Sequence, residues 1–317
     1  MKPPVRYYGG KARMAERVVS MLPPHRLYVE PFAGSCAVLF AKEPARFEII
    51  NDLSGDVVTF FRVLRDRPGD LIAALEATPY ARTEFEACRD EDLTGQSSDE
   101  IEQARRWWVR QMQGFNAIPD QSKRVGWSVS NASCNPATRV DGYLRRMPAV
   151  AKRLRRVQIE QRSAVKVVAQ HGRASDAVLY VDPPYVAETR NDRGIAYQME
   201  MTPADHRALA AALHEACAAV VLSGYASPLY DELYADWTRL DIAVTRPTSN
   251  RAGKQGALGT EVLWLNRAFD ETRRVFDEMK CECGCGQPLV RLPVGRRPKY
   301  FSALCRQKAY LRRRASA

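Results

Sequence analysis

The stretch Val178-Leu179-Tyr180-Val181-Asp182-Pro183-Pro184-Tyr185 constrains this 317-residue chain more than any other. Residues 177–181 form a short apolar run bounded by chain breakers, which predicts a buried strand. Pro183 and Pro184 cannot continue the strand, because each lacks an N–H and has a fixed φ. Asp182 and Tyr185 are therefore expected in a rigid loop at the carboxyl end of a strand. In open α/β sheets that edge is where ligands bind.

The four residues Asp182, Pro183, Pro184 and Tyr185 suit one chemistry. An exocyclic amine on a nucleobase is a poor nucleophile, because its lone pair is delocalised into the ring. Two acceptors holding its two N–H groups pull the nitrogen towards tetrahedral geometry and free that pair. Asp182 offers a carboxylate and Pro183 a backbone carbonyl. Tyr185 offers a flat face on which an extruded base can stack. The alternative is a plain strand end followed by a proline turn.

The rest of the chain supplies a frame for such a loop. No apolar run approaches the roughly 20 residues of a membrane span and no leader-like segment opens the sequence, so neither is expected. Cys36, Cys88, Cys134 and Cys217 are scattered, whereas Cys281, Cys283, Cys285 and Cys305 gather near the end. That distribution fits a reducing compartment and a terminal metal site better than a disulfide framework. The net charge is +11, unevenly placed. Residues 103–170 hold 14 Lys/Arg against 3 Asp/Glu, and residues 279–317 hold 10 against one, on an otherwise acidic chain. Two basic regions on an acidic frame point to a polyanion gripped by dedicated segments, the alternative being a solvated basic surface.

Arg6-Tyr7-Tyr8-Gly9-Gly10-Lys11 reads as a glycine turn opening a helix to about Leu22, with Met14, Val18, Met21 and Leu22 at helical spacing. Residues 27–29 form a short strand, followed by Glu30-Pro31-Phe32-Ala33-Gly34-Ser35 and a helix: a nucleotide-type cradle. The next strand, residues 47–50, ends at Asn51-Asp52, where an acid is expected to hold ribose hydroxyls. Asp52 as a mere strand-end turn residue is the alternative. Ser54 is expected to cap the following helix.

Residues 67–102 read as helical pieces around Pro68 and Pro79, with Thr83 and Glu86 as a capping box, and Ser98 as the cap of a following helix carrying Trp107, Trp108 and Met112. Residues 113–136 mix Gly, Asn, Ser and Pro with Lys123, Arg124 and Trp127, and a basic run that includes Arg145 and Arg146 follows. The expectation is a target-recognition insert entering the DNA grooves, against a basic helical cap with the indoles as its core.

Further on, residues 157–160 read as a strand, and residues 188–198 as a polar flap. Thr202-Pro203-Ala204-Asp205 reads as a helix start. Residues 219–222, 240–244 and 262–265 supply the last strands, and residues 248–259 a loop suited to phosphate. His25, His171, His206 and His214 form no ligand or triad pattern and read as surface or helix residues.

Taken together these segments resemble the Dam-type DNA adenine-N6 methyltransferases. The resemblance rests on Tyr7-Tyr8-Gly9-Gly10-Lys11, Glu30-Pro31-Phe32-Ala33-Gly34-Ser35, Asn51-Asp52-Leu53, Asp182-Pro183-Pro184-Tyr185, Leu222-Ser223-Gly224-Tyr225 and Thr260-Glu261-Val262-Leu263-Trp264. It spans about residues 5–268, in the alpha motif order. It implies an α/β, Rossmann-like S-adenosylmethionine-dependent methyltransferase sheet with a mainly helical DNA-recognition insert. Residues 1–66 and 157–270 would be catalytic and residues 67–156 the insert. It further implies that Tyr7, Lys11, Glu30, Pro31, Phe32 and Gly34 surround S-adenosylmethionine, that Asp52 holds its ribose, and that Asp182 touches both cofactor site and target amine. Pro183 would give its carbonyl and Tyr185 would stack on a flipped adenine in double-stranded DNA. Lys123, Arg124, Arg145 and Arg146 are the expected DNA contacts, and a bacterial or phage-encoded cytoplasmic protein of restriction-modification is implied. Cys36 departs from the pattern, standing where the family usually has a second glycine.

Residues 279–317 read as a separate basic tail. Cys281, Cys283, Cys285 and Cys305 resemble the thiols of small zinc-ribbon tails, although Phe301 occupies the place of a paired Cys. The alternative is a basic tail with free thiols. For the whole chain the alternatives are a cytosine-N4 or RNA base methyltransferase, and a DNA-binding protein without turnover.

Overall fold

The computed structural model describes residues 1–90, 99–115, 126–129, 135–189, 199–245 and 258–277. Lys123, Arg124, residues 190–198 of the expected flap, residues 246–257, and Cys281, Cys283, Cys285 and Cys305 lie outside the described residues.

The short apolar runs form strands β1 (Leu27–Glu30), β2 (Phe47–Asn51), β3 (Val157–Glu160), β4 (Ala177–Val181) and β5 (Ala219–Gly224). Two longer strands, β6 (Thr238–Thr245) and β7 (Leu258–Leu265), complete a seven-stranded sheet of order β3-β2-β1-β4-β5-β7-β6. The strands from β3 to β5 pair in parallel, while β7 runs antiparallel to both β5 and β6. The chain leaves β1 towards one edge through β2 and β3, then returns to lay β4 on the other side of β1. The crevice between the carboxyl ends of β1 and β4 is thus the point where strand order reverses, the preferred ligand site of such sheets. This is the Rossmann-like α/β architecture that the sequence predicts.

Helices cover both faces. On one, α9 (Ala164–His171), α10 (Pro203–His214) and α11 (Pro228–Leu233) pack Val167, Leu209, Leu213 and Tyr230 against Val29, Leu179, Val220 and Trp264. The helix start read at Thr202-Pro203-Ala204-Asp205 is that of α10, and it is closed as a capping box: the Thr202 side chain accepts from Asp205 N, and the Asp205 carboxylate accepts from Thr202 N. The other face carries α1 (Ala15–Met21), α2 (Ala37–Ala41), α3 (Gly55–Asp66) and α12 (Arg267–Asp277).

Between α3 and β3 the described residues form five helices: α4 (Pro68–Glu76), α5 (Arg82–Asp90), α6 (Glu100–Gln113), α7 (Pro136–Leu144) and α8 (Met147–Leu154). Their apolar stripes join the sheet's core. Trp107 is 3% and Trp108 1% exposed; the Trp107 ring lies 4.9 Å from that of Phe60 on α3. The Trp108 indole donates to Pro4 O at 3.1 Å. Both indoles are core, so neither is available to interleave with a ligand.

Several local expectations differ from the structure. Helix α1 begins at Ala15 rather than at Lys11, which leaves the glycine turn as a loop. Helix α5 begins at Arg82, so Thr83 and Glu86 lie inside it and form no capping box. Asp99, not Ser98, caps α6 by accepting from Ile101 N at 3.0 Å. Ser54 stands at the N-cap of α3 but makes no side-chain cap bond. His206 is a helix residue, as expected, and is buried on α10 with its ring nitrogen 3.1 Å from the Tyr230 hydroxyl.

The basic run around Arg145 divides by environment. The Arg153 side chain is 8% exposed and paired with Glu48 of β2, which also binds Lys42 Nζ at 2.7 Å. Burial opposes the charge of Glu48, but its two cationic partners outweigh this and hold its pKa below the ordinary value. Arg145 has a 78% exposed side chain and pairs with Asp141, one turn earlier. Breaking a buried pair leaves a charge uncompensated, whereas an exposed pair is worth little. Arg153→Ala should therefore cost about 2–4 kcal/mol, and Arg145→Ala less than about 0.5 kcal/mol. Urea unfolding of the two variants checks this; equal losses would contradict it.

Candidate active site

The crevice at the strand reversal is a cavity of about 280 Å³, lined among others by Tyr7, Glu30, Phe32, Asp52, Tyr180 and Asp182. Of the expected cofactor-side residues, Tyr7, Lys11, Glu30, Pro31, Phe32, Gly34, Asp52 and Asp182 all line it.

Its floor is made by the turn after β1. Gly34 has φ +46, and a Cβ there would lie 3.1 Å from the Tyr7 ring, so a side chain would be strained by the backbone and crowd the overlying aromatic. Cys36 has φ 54 and is also left-handed. The sequence departure thus falls on a position whose backbone favours glycine, at a strain on the order of 1–2 kcal/mol. Its fully buried thiol packs in the core below the turn, and burial raises its pKa well above the ordinary value.

The carboxylates are held by neighbouring strands. Glu30 ends β1; its Oε1 accepts from Tyr28 Oη at 2.8 Å and from Leu39 N at 2.6 Å. Burial dominates, and its pKa rises to about 8 despite these two bonds. Asp52 accepts from Gly34 N at 3.0 Å through Oδ2 and from Ser54 N at 2.9 Å through Oδ1. It therefore fastens the β1 turn to the end of β2 as well as facing the cavity. Burial raises its pKa, against the lowering by these amides. Asn51 ties the same edge together, donating to Pro31 O and Arg162 O and accepting from Arg162 N, at 2.9–3.0 Å.

Asp182 follows β4, as its strand-and-proline context requires. Its Oδ1 accepts from Ser223 Oγ at 2.7 Å and meets Lys11 Nζ at 3.0 Å. Lys11 Nζ also donates to Gly9 O at 2.7 Å and lies 3.1 Å from Glu261 Oε1. Burial opposes the Lys11 charge, but Asp182 and Glu261 outweigh it and raise its pKa. Burial raises the Asp182 pKa, partly offset by Lys11. Tyr185 is 5% exposed, with its hydroxyl on Glu261 Oε1, Lys11 Nζ 4.7 Å from its ring centroid, and Tyr225 edge-on at 4.7 Å. Tyr185 is thus a covered ring rather than an open platform.

Neither Ser223 nor Glu261 stood among the candidate site residues. The available signal was polarity: each is a lone buried polar side chain in an otherwise apolar stretch of strand. Of the expected DNA contacts, Arg145 is exposed on the end of α7, and the Arg146 guanidinium stacks 4.4 Å from the Tyr143 ring. The described residues contain no cluster of His, Cys, Asp or Glu able to hold a metal ion.

The sequence matches the family model described as D12 class N6 adenine-specific DNA methyltransferase over residues 7–247. The chain belongs to this family. As a D12 class methyltransferase it is similar to the Type II methyltransferase M1.LlaDCHI of Lactococcus lactis subsp. cremoris, at 24% identity over 278 residues. That match covers 84% of this chain and 95% of that protein. It is also 24% identical to a DNA adenine methylase of Vibrio cholerae serotype O1 over 188 residues, 57% of this chain and 64% of that protein. The activity of the methyltransferase is adenine-specific DNA methylation, and the family implies S-adenosylmethionine as methyl donor.

The folded methyltransferase holds the Glu30 proton to about pH 8, whereas an ordinary glutamate releases it near 4.5. The stability from burying a neutral Glu30 is full below pH 4.5 and is lost as pH rises through 8. Glu30→Gln keeps an acceptor for Tyr28 and Leu39 and has no proton to lose. Without cofactor, it should match the parent protein near pH 4.5 and exceed it near pH 8.5 by on the order of 2–4 kcal/mol. Thermal melts across that range check this; a constant difference at all pH values would contradict it.

Proposed function

We propose that the methyltransferase acts on an adenine extruded from duplex DNA, with Asp182 and the Pro183 carbonyl as the acceptors for its N6 amine. The observation that carries this reading is the placement of Asp182. It stands on the cavity wall at the strand reversal, with Oδ1 fixed by Ser223 and Lys11 and no protein group on Oδ2 among the described residues. A carboxylate with one anchored and one open oxygen is preorganised to accept from an amine.

The cavity suits S-adenosylmethionine by its donor set. The carboxyl groups of Glu30 and Asp52 offer acceptor oxygens to a ligand that bears an ammonium, a sulfonium and a ribose diol, and the Gly34 turn lets the backbone come close. Tyr7, Lys11, Pro31 and Phe32 complete the proposed surround. The cofactor supplies an electrophilic methyl group on sulfur. Asp182 and Pro183 orient the amine lone pair towards it, and no residue need remove a proton first, because the amine proton becomes acidic once nitrogen carries the methyl. Pro184 stiffens the loop. Tyr185 supplies the ring on which the extruded base stacks.

Residues 1–66 and 157–270 perform the transfer in this reading, and residues 67–156 select the target. Lys123, Arg124, Arg145 and Arg146 contact the DNA, supported by the positive balance of residues 103–170. The Type II name of the Lactococcus relative supports a place in restriction-modification, and a bacterial cytoplasm is where such a duplex lies. In the tail, Cys281, Cys283, Cys285 and Cys305 bind one zinc ion that folds an additional DNA anchor.

Incubation with labelled S-adenosylmethionine and unmethylated duplex DNA, followed by nucleoside analysis, tests the reaction. N6-methyladenine is expected from the parent protein, and Asp182→Ala should lower its formation by at least about a thousandfold. N4-methylcytosine as the product, or an active Asp182→Ala enzyme, would overturn the reading. Metal analysis after chelator-free purification should give about one zinc per chain; a ratio near zero would reject the tail site.

A further inference from the structure

The ammonium of Lys11 spends its three N–H groups on Gly9 O, Asp182 Oδ1 and Glu261 Oε1. The same Glu261 oxygen accepts from the Tyr185 hydroxyl. Glu261 is 8% exposed and comes from β7, far in sequence from the glycine turn and from the loop after β4. One carboxylate oxygen therefore holds both side chains that flank Asp182. We propose that Glu261 is a positioning residue for methyl transfer: it keeps Lys11 shared between two carboxylates and Tyr185 anchored by its hydroxyl, so that Asp182 Oδ2 stays open to the target amine.

The electrostatics follow from the geometry. Without the second carboxylate, the Lys11 charge falls wholly on Asp182, deepening that ion pair and weakening Asp182 as an acceptor. With it, the cluster holds two anions and one cation, and Asp182 stays more basic than it would beside Lys11 alone. The other groups facing Asp182 are Tyr180 of β4, Tyr185, Glu30 of β1, Ser223 of β5 and Tyr230 of α11. None of these groups is a cation, so among the described residues Lys11 is the positive charge paired with Asp182, and Glu261 is the second anion that shares it. The proposal rests on the adenine-methylation reading.

Glu261→Gln is the informative change, because the amide oxygen still accepts from Lys11 and Tyr185 while the charge is gone. Single-turnover methyl transfer is measured with labelled S-adenosylmethionine and unmethylated duplex DNA across pH 5–9, together with equilibrium binding of S-adenosylmethionine. Binding is expected to change by less than about threefold, and transfer to slow by at least about tenfold. The acid limb of the rate profile should move to lower pH by on the order of half a unit to one unit, since removing a neighbouring anion lowers the Asp182 pKa. Tyr185→Phe, which cuts one of the two tethers and leaves the charge, should slow transfer without moving that limb. An unchanged rate in Glu261→Gln, or a slower rate with the acid limb unmoved, would overturn the positioning role while leaving adenine methylation intact. Absence of N6-methyladenine from the parent protein would overturn both.

Discussion

The site depends on one ammonium held between two carboxylates where water is scarce. Lys11, Asp182 and Glu261 come from the amino-terminal loop, the end of β4 and the middle of β7. Each alone would be costly to bury, and removing Lys11 would leave two buried carboxylates without a cation. The cluster therefore forms only when three distant parts of the chain are in register, which couples assembly of the sheet to assembly of the acceptor. Ser223 and Asn51 repeat the device with neutral groups, one fixing Asp182 to β5 and the other joining the loops after β1 and β3.

The covering helices are part of the same construction. Trp107 of α6 packs on Phe60 of α3 and lies 6.4 Å from Tyr7, whose ring covers Gly34 in the cavity floor. Arg153 of α8 neutralises Glu48 of β2 beneath them. The helices between α3 and β3 thus bear directly on the cavity wall. A distortion there would reach the turn after β1 through two aromatic contacts, with no separate hinge required.

What was legible in the sequence is what local chemistry decides. The apolar run and paired prolines place Asp182 at a strand end, the Thr202–Asp205 pattern starts α10, and the acids after β1 and β2 fall on the cavity. What was not legible is non-local. Nothing near Glu261 says that β7 inserts between β5 and β6, so its reach to Lys11 could not be read. The covered state of Tyr185 depends on Tyr225 and Lys11, from other segments. Helix boundaries failed where two candidate caps were adjacent, as at Ser98 and Asp99, or where a helix began one residue before its apparent box, as at Arg82. Cys36 was visible as a departure, but its left-handed backbone was not.

The antiparallel placement of β7 has a consequence for how the protein can vary. Val262 and Trp264 enter one core and Leu263 and Leu265 the other, so alternation along the strand puts Glu261 on the face of Leu263. A slip of one residue against β5 or β6 would carry the carboxylate through the sheet to the opposite side. Parity of strand pairing is thus a heritable requirement of the chemistry. The connection between β6 and β7 can gain or lose any number of residues so long as Ile242 still faces Glu261, whereas a single insertion within either strand would disarm the enzyme without touching a site residue.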